Sequence, residues 1–257
     1  MRMKKPIFFL FTIFVIFPLA AQTADFYHTR GSILFEKGDF DEAINDYNRA
    51  ISLNPNDASI WNDRGSAYLT IGNLNRAIED FNKALSLDPK LEYAYYGRGV
   101  VYHTQDNLDK AIDEYTKAIG INPFEEAFWS DRGYAYYDKG AMDKAIADFT
   151  RAISLGSDSV WLSRAEAYME LKQYDRALED CNRVIAIDRN SEEALFIRGE
   201  VYTAKGEPDK AIADFNRVIS LNPGDPAAYN GRSEAYLAKG NYEQAILDLN
   251  KAHDLSQ

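Results

Sequence analysis

The sequence predicts an all-α solenoid made of consecutive helix-turn-helix hairpins. Three observations predict it. A pattern of aromatic, small and apolar residues returns every 34 residues from Ala24 to Gln257. Each period holds two short stripes with residues at i, i+4 and i+7, the spacing of one face of an α-helix. Glycine or proline stands between stripes, where one helix must stop before the next begins. A hairpin of this size cannot bury its stripes alone, so it must stack on copies of itself.

Residues 58–91 show the pattern most plainly. Trp61, Gly65 and Tyr68 form the first stripe, at positions 4, 8 and 11 of the repeat. Ala77, Phe81 and Ala84 form the second, at positions 20, 24 and 27. Gly72 and Asn73 separate the two, and Pro89 ends the second helix. Seven repeats fit the frame: 24–57, 58–91, 92–125, 126–157, 158–191, 192–225 and 226–257. Position 4 reads Tyr27, Trp61, Tyr95, Trp129, Trp161, Leu195 and Tyr229, and position 20 is alanine throughout. A larger side chain at position 20 would push the paired helices apart. The turns between repeats are short, and Asp225 before Pro226 reads as an N-cap followed by proline at the first helical position. Pro208 opens a helix in the same way.

Two repeats depart from the frame. The fourth is two residues short, with Gly156 and Ser157 where a proline turn is expected, and the fifth has Ala165, Lys172 and Arg189 in place of Gly, Gly and Pro. The junction near residue 157 is therefore where the stacking geometry is least determined.

With an aromatic at 4, Gly at 8, Tyr at 11, Ala at 20, an aromatic at 24, Ala at 27 and Pro at 32, the repeat resembles the tetratricopeptide repeat (TPR) family. The resemblance implies a right-handed superhelix whose first helices line a concave groove through positions 2, 5, 6, 9, 12 and 13. It also implies a non-catalytic scaffold for protein–protein interaction.

Charged residues occupy the core stripes. Position 7 is arginine in every repeat: Arg30, Arg64, Arg98, Arg132, Arg164, Arg198 and Arg232. Position 23 is acidic in every repeat: Asp46, Asp80, Glu114, Asp148, Asp180, Asp214 and Asp248. Arginine cannot discharge, and a buried unpaired guanidinium is very costly, so the two rows are expected to pair as a structural ladder.

No catalytic or metal chemistry is expected. His28, His103 and His253 fall in repeats one, three and seven, too far apart to share a metal when packed helices lie roughly 8–10 Å apart. The sequence has no HExxH, CxxC, EF-hand or GxSxG motif. Cys181 stands at position 24 and reads as a core thiol. No cofactor is implied.

The first 21 residues differ in kind. Arg2, Lys4 and Lys5 precede an apolar run from Ile7 to Leu19, and Ala20 and Ala21 follow, the layout of a secretory signal peptide. The run is shorter than the roughly 20 residues of a membrane span. Cleavage after Ala21 would leave residues 22–257 as the array, exported to the periplasm or secreted, with no stable membrane span. It would also take the net charge from −11 to −14. So acidic a surface repels phosphate, which argues against nucleic acid as a partner.

The groove positions implied by the resemblance carry Tyr93, Tyr96, His103, Tyr134 and Tyr137 in repeats three and four. Glu166, Glu170, Phe196, Glu200 and Glu234 follow in repeats five to seven, with Glu193, Leu162 and Met169 among them. No lysine or arginine occupies these positions, so they do not suit an acidic tail. Aromatic faces and carboxylates together suit an extended protein or peptide segment with apolar and basic residues. At position 28, Ile51, Leu85, Ile119, Ile153, Ile185 and Ile219 give way to His253 in the last repeat, which reads as a polar cap. Leu249 and Leu255 are expected to be partly exposed there, leaving room for weak self-association. The competing reading is a structural component that makes its contacts through its ends or outer face.

Overall fold

The computed structural model describes residues 23–257, all helical apart from turns. The expected signal peptide, residues 1–21, lies outside the described residues. The described chain forms two compact blocks, one through Asp88 and the other Pro89–Gln257. The first block holds α1 (Ala24–Lys37), α2 (Phe40–Leu53), α3 (Ala58–Thr70) and α4 (Leu74–Leu87). The second holds α5 (Glu92–Thr104), α6 (Leu108–Ile121), α7 (Glu126–Asp138), α8 (Met142–Ser154) and α9 (Trp161–Glu170). It continues with α10 (Tyr174–Ile187), α11 (Glu192–Lys205), α12 (Pro208–Leu221), α13 (Pro226–Lys239) and α14 (Tyr242–Leu255). Each repeat thus supplies one hairpin. Within each block the second helix of a hairpin packs on the first helix of the next.

Local chemistry sets the helix ends. Asp57 and Asp225 accept hydrogen bonds from the amides of Ser59 and Ala227 as N-caps, and Pro226 and Pro208 open their helices. One or two residues past the first helix the backbone is left-handed in every repeat, usually at glycine, but at Asp106 (φ 57°) in the third and Lys172 (φ 58°) in the fifth. The frame therefore dictates this backbone conformation even where the side chain disfavours it.

The position-20 alanines, Ala43, Ala77, Ala111, Ala145, Ala177, Ala211 and Ala245, are all fully buried. Position 8 packs against position 24 of the same hairpin, and the approach is close. A Cβ on Gly133 would lie 2.7 Å from Phe149 Cε1, and one on Gly99 would lie 2.7 Å from Tyr115 Cδ1. Where the ring is missing the Cβ returns: Ala165 accompanies Cys181, and Ser233 accompanies Leu249. Cys181 is fully buried, and burial pushes its thiol up to about 12, so it is an unreactive filler of a ring-sized slot. The short turn near residue 157 lies inside the second block, with Gly156 at φ 110° and Val160 fully buried beneath it.

Candidate ligand-binding face

Each position-7 arginine meets the position-23 acid of its own repeat. Arg132 donates through Nε and Nη2 to the two oxygens of Asp148 at 2.7 and 2.8 Å, and Arg164 does the same to Asp180 at 2.8 and 2.8 Å. Arg30–Asp46, Arg64–Asp80, Arg198–Asp214 and Arg232–Asp248 repeat this fork. Arg98 binds Glu114 at 2.6 Å. The acids are buried while most of the guanidinium groups keep an edge toward solvent.

That edge makes a contact the repeat frame does not advertise. Nη1 of Arg64, Arg198 and Arg232 donates at 2.6 Å to Asn48, Asn182 and Asn216 of the preceding repeat. Arg132 and Arg164 reach Thr116 and Thr150 at 3.0 and 2.9 Å. These acceptors all stand at position 25, which is Asn or Thr in every repeat; a search for a polar row beside the core stripe would have found them. The guanidinium also covers the position-4 ring, 4.8 Å from Trp61 in Arg64 and 5.0 Å from Trp129 in Arg132. Each arginine is thus paired with a buried acid of its own repeat, and Arg64, Arg132, Arg164, Arg198 and Arg232 also tie their repeat to the preceding one.

Between α1 and α3, and between α5 and α7, side chains meet with an offset of 35 residues. His28 Nε2 lies 2.6 Å from Asp63, Tyr96 donates its hydroxyl to Asp131 at 2.8 Å, and His103 Nε2 lies 2.7 Å from Asp138. Of the tyrosines expected on the groove, Tyr96 is largely consumed by packing between Tyr115 and Phe128, with ring centroids 5.8 and 5.0 Å away. Tyr93 leans edge-on to Phe128 and donates to Glu125 at 3.0 Å, yet stays exposed. Tyr134 packs on Phe149 and accepts from Ser163 at 3.1 Å. Phe196 stands edge-on to Phe215 and is half-buried.

Further along the second block, Glu166, Glu200 and Glu234 take the same position on α9, α11 and α13, and Glu170 lies one turn beyond Glu166. None of the four is in a salt bridge among the described residues. Burial first, then the charges of Glu193 and Glu170, raises the Glu166 pKa; burial, then Glu166 and Glu234, raises that of Glu200. Tyr137 is raised by burial and by the charges of Glu166 and Glu170, which places it in the same field. The face therefore runs from aromatic rings on α5 and α7 to uncompensated carboxylates on α9, α11 and α13. No group of His, Cys, Asp and Glu among the described residues is arranged to hold a metal ion.

Family profiles described as TPR repeat match residues 31–72 and 68–106, and profiles described as tetratricopeptide repeat match 92–124, 127–156, 158–191 and 198–256. No curated protein matches the chain. Solved structures do. A tetratricopeptide repeat protein from Parabacteroides merdae is 22% identical, with a TM-score of 0.66 over 92% of this chain and 94% of that one. PilF from Pseudomonas aeruginosa is 17% identical, with a TM-score of 0.71 over 82% and 97%. The C-terminal part of a TPR repeat-containing protein from Cytophaga hutchinsonii is 20% identical, with a TM-score of 0.69 over 89% and 92%. Those likenesses are of fold alone. Fourteen helices in consecutive hairpins among the described residues, paired by one arginine and one acid per repeat, and profile matches along most of its length make this chain a member of the tetratricopeptide repeat proteins.

Proposed function

We propose that this protein is a non-catalytic scaffold of the cell envelope that holds an extended protein segment on the first-helix face of its second block. The carrying observation is the row Glu166, Glu200 and Glu234, half-exposed or exposed carboxylates that repel one another and form no salt bridge among the described residues. Such a row is costly in the free protein and is relieved by a partner that supplies positive charge. Tyr137 and Phe196 beside it offer apolar contact at modest entropy cost, and Met169 adds a flexible apolar surface. The ligand is accordingly a segment with apolar and basic residues. Calorimetry with basic and acidic peptide pools tests the sign: binding of the acidic pool alone overturns the reading. Export rests on the basic start and short apolar run of residues 1–21. N-terminal sequencing of protein recovered from the envelope should begin at Gln22, and recovery of intact Met1 in a membrane-bound form would refute cleavage. None of the described helices is long and apolar enough to cross a membrane.

A second reading, self-association, has one observation behind it. Ile246, Leu247 and Leu249 on α14 are exposed beside the exposed His253. Sedimentation at increasing concentration without ligand separates the two readings, because a monomer throughout removes the second.

A further inference from the structure

On the first-helix face a cleft of about 510 Å³ lies between α5 and α7, with the ring of Tyr115 from α6 among its walls. Val100, His103 and Thr104 line it from α5, Asp106 from the following turn, and Asp131, Tyr134 and Asp138 from α7. Its volume falls within the roughly 300–1,000 Å³ of small-ligand sites. We propose that this cleft is a specificity pocket for one arginine side chain of the bound segment, a statement that rests on the scaffold reading above and names the partner residue it selects.

The chemistry of the lining excludes other occupants. Three carboxylates face the space and no lysine or arginine does, so an anion is repelled. Asp131, Tyr134 and Asp138 stand at i, i+3 and i+7 on α7, which puts an aromatic ring between two carboxylates on one helical stripe. A planar guanidinium can lie over such a ring while its edge donates to a carboxylate, whereas an ammonium gains less from the ring and has no fork to match. Oxygens remain to receive it. One oxygen of Asp131 takes the Tyr96 hydroxyl and one oxygen of Asp138 meets His103, and the Oδ1 atoms of both accept no protein hydrogen bond among the described residues. Those same contacts fix both carboxylates in place before any ligand arrives. Burial raises the Asp131 pKa, and an incoming cation would relieve that cost.

The test uses the array from residue 22 onward as the exported protein and the peptide Gly-Leu-Xaa-Leu-Gly with Xaa as arginine, lysine or neutral citrulline, read by calorimetry. Arginine is expected to bind at least about tenfold more tightly than citrulline, the size of one well-made charge contact, with lysine between. Asp131→Asn, which keeps an acceptor for Tyr96, and Asp138→Asn should each erase most of that preference, while Asp175→Asn, far along the array, leaves it unchanged. Equal binding of arginine and citrulline overturns the proposal. Arginine preference that survives both cleft variants but is lost in Glu166→Gln/Glu200→Gln overturns the cleft and leaves the scaffold reading standing. Binding of N-acetylargininamide as tight as that of the peptide, abolished by Asp131→Asn, supports the cleft and counts against an extended segment. Thermal melts of each variant separate loss of binding from loss of fold.

Discussion

Phe149 and Cys181 occupy equivalent positions in successive repeats, and the residue opposite each decides what fits. In the five repeats with a ring at position 24, a Cβ at position 8 would sit 2.7–2.9 Å from ring carbons, closer than real contacts allow. Cys181→Phe should therefore cost about 1–3 kcal/mol by overpacking against Ala165, and Ala165→Gly in the same chain should recover most of it. Paired chemical denaturation curves check both steps. The arginine–acid fork makes a second demand at this scale. Arg132→Met leaves Asp148, 4% exposed, without its cation and should cost about 3 kcal/mol. Arg30, with its side chain 44% exposed at the first hairpin, should tolerate the same change better. That the two rows pair follows from spacing and the cost of a buried unpaired charge, but which repeat supplies the partner, and the third contact through position 25, do not. Both depend on the angle at which one hairpin meets the next.

Between helices, the offset of 35 residues is the working rule. It joins α1 to α3 through His28 and Asp63, and α5 to α7 through Tyr96 and Asp131 and through His103 and Asp138. The hydrogen bond to Asp63 raises the His28 pKa above 6.5, against the opposing effect of burial. A group whose folded pKa exceeds its unfolded one binds more protons when folded. Its contribution is then complete below 6.5 and disappears as pH rises through the raised value. Urea midpoints should fall across that window in the wild-type protein, and His28→Gln should remove this part of the slope. A slope unchanged by the substitution would place the pH dependence elsewhere.

At the scale of the molecule, the position-7 arginines are held in internal pairs with buried acids, while unpaired acids stand on the first-helix face of the second block. Glu166 and Glu200 have folded pKa values raised above 4.5, so they bind more protons when folded. Stability contributed by these groups accordingly decreases as pH rises from 4.5 through the raised values. Affinity for an arginine-bearing segment runs the other way, because the carboxylates attract it only when charged. Glu166→Gln/Glu200→Gln should raise the melting temperature at neutral pH, flatten its dependence over that window, and weaken peptide binding. A double variant that melts lower than the parent at neutral pH would contradict the repulsion inferred for the row.

The sequence by itself determined the hairpins, their number and the pairing of the arginine row with the acid row, and the structure decided that each arginine takes the acid of its own repeat. The hairpins and the two charged rows were visible within one 34-residue repeat, where spacing fixes which residues share a helical stripe. The alanine row and the aromatic and glycine positions were legible for the same reason. Tertiary structure alone decided the rest. Tyr96 and Tyr134 stand at positions implied to face the groove, yet Tyr96 is wedged between Tyr115 and Phe128 and Tyr134 walls a cleft. The cleft joins Asp106, Tyr115, Asp131 and Asp138 to two expected residues, His103 and Tyr134. Val100, His103, Thr104, Asp131, Tyr134 and Asp138 stand on rows implied to face the groove, but the period does not show that Asp106 and Tyr115 join them to close a cleft, because the group forms where side chains from three helices of two hairpins converge.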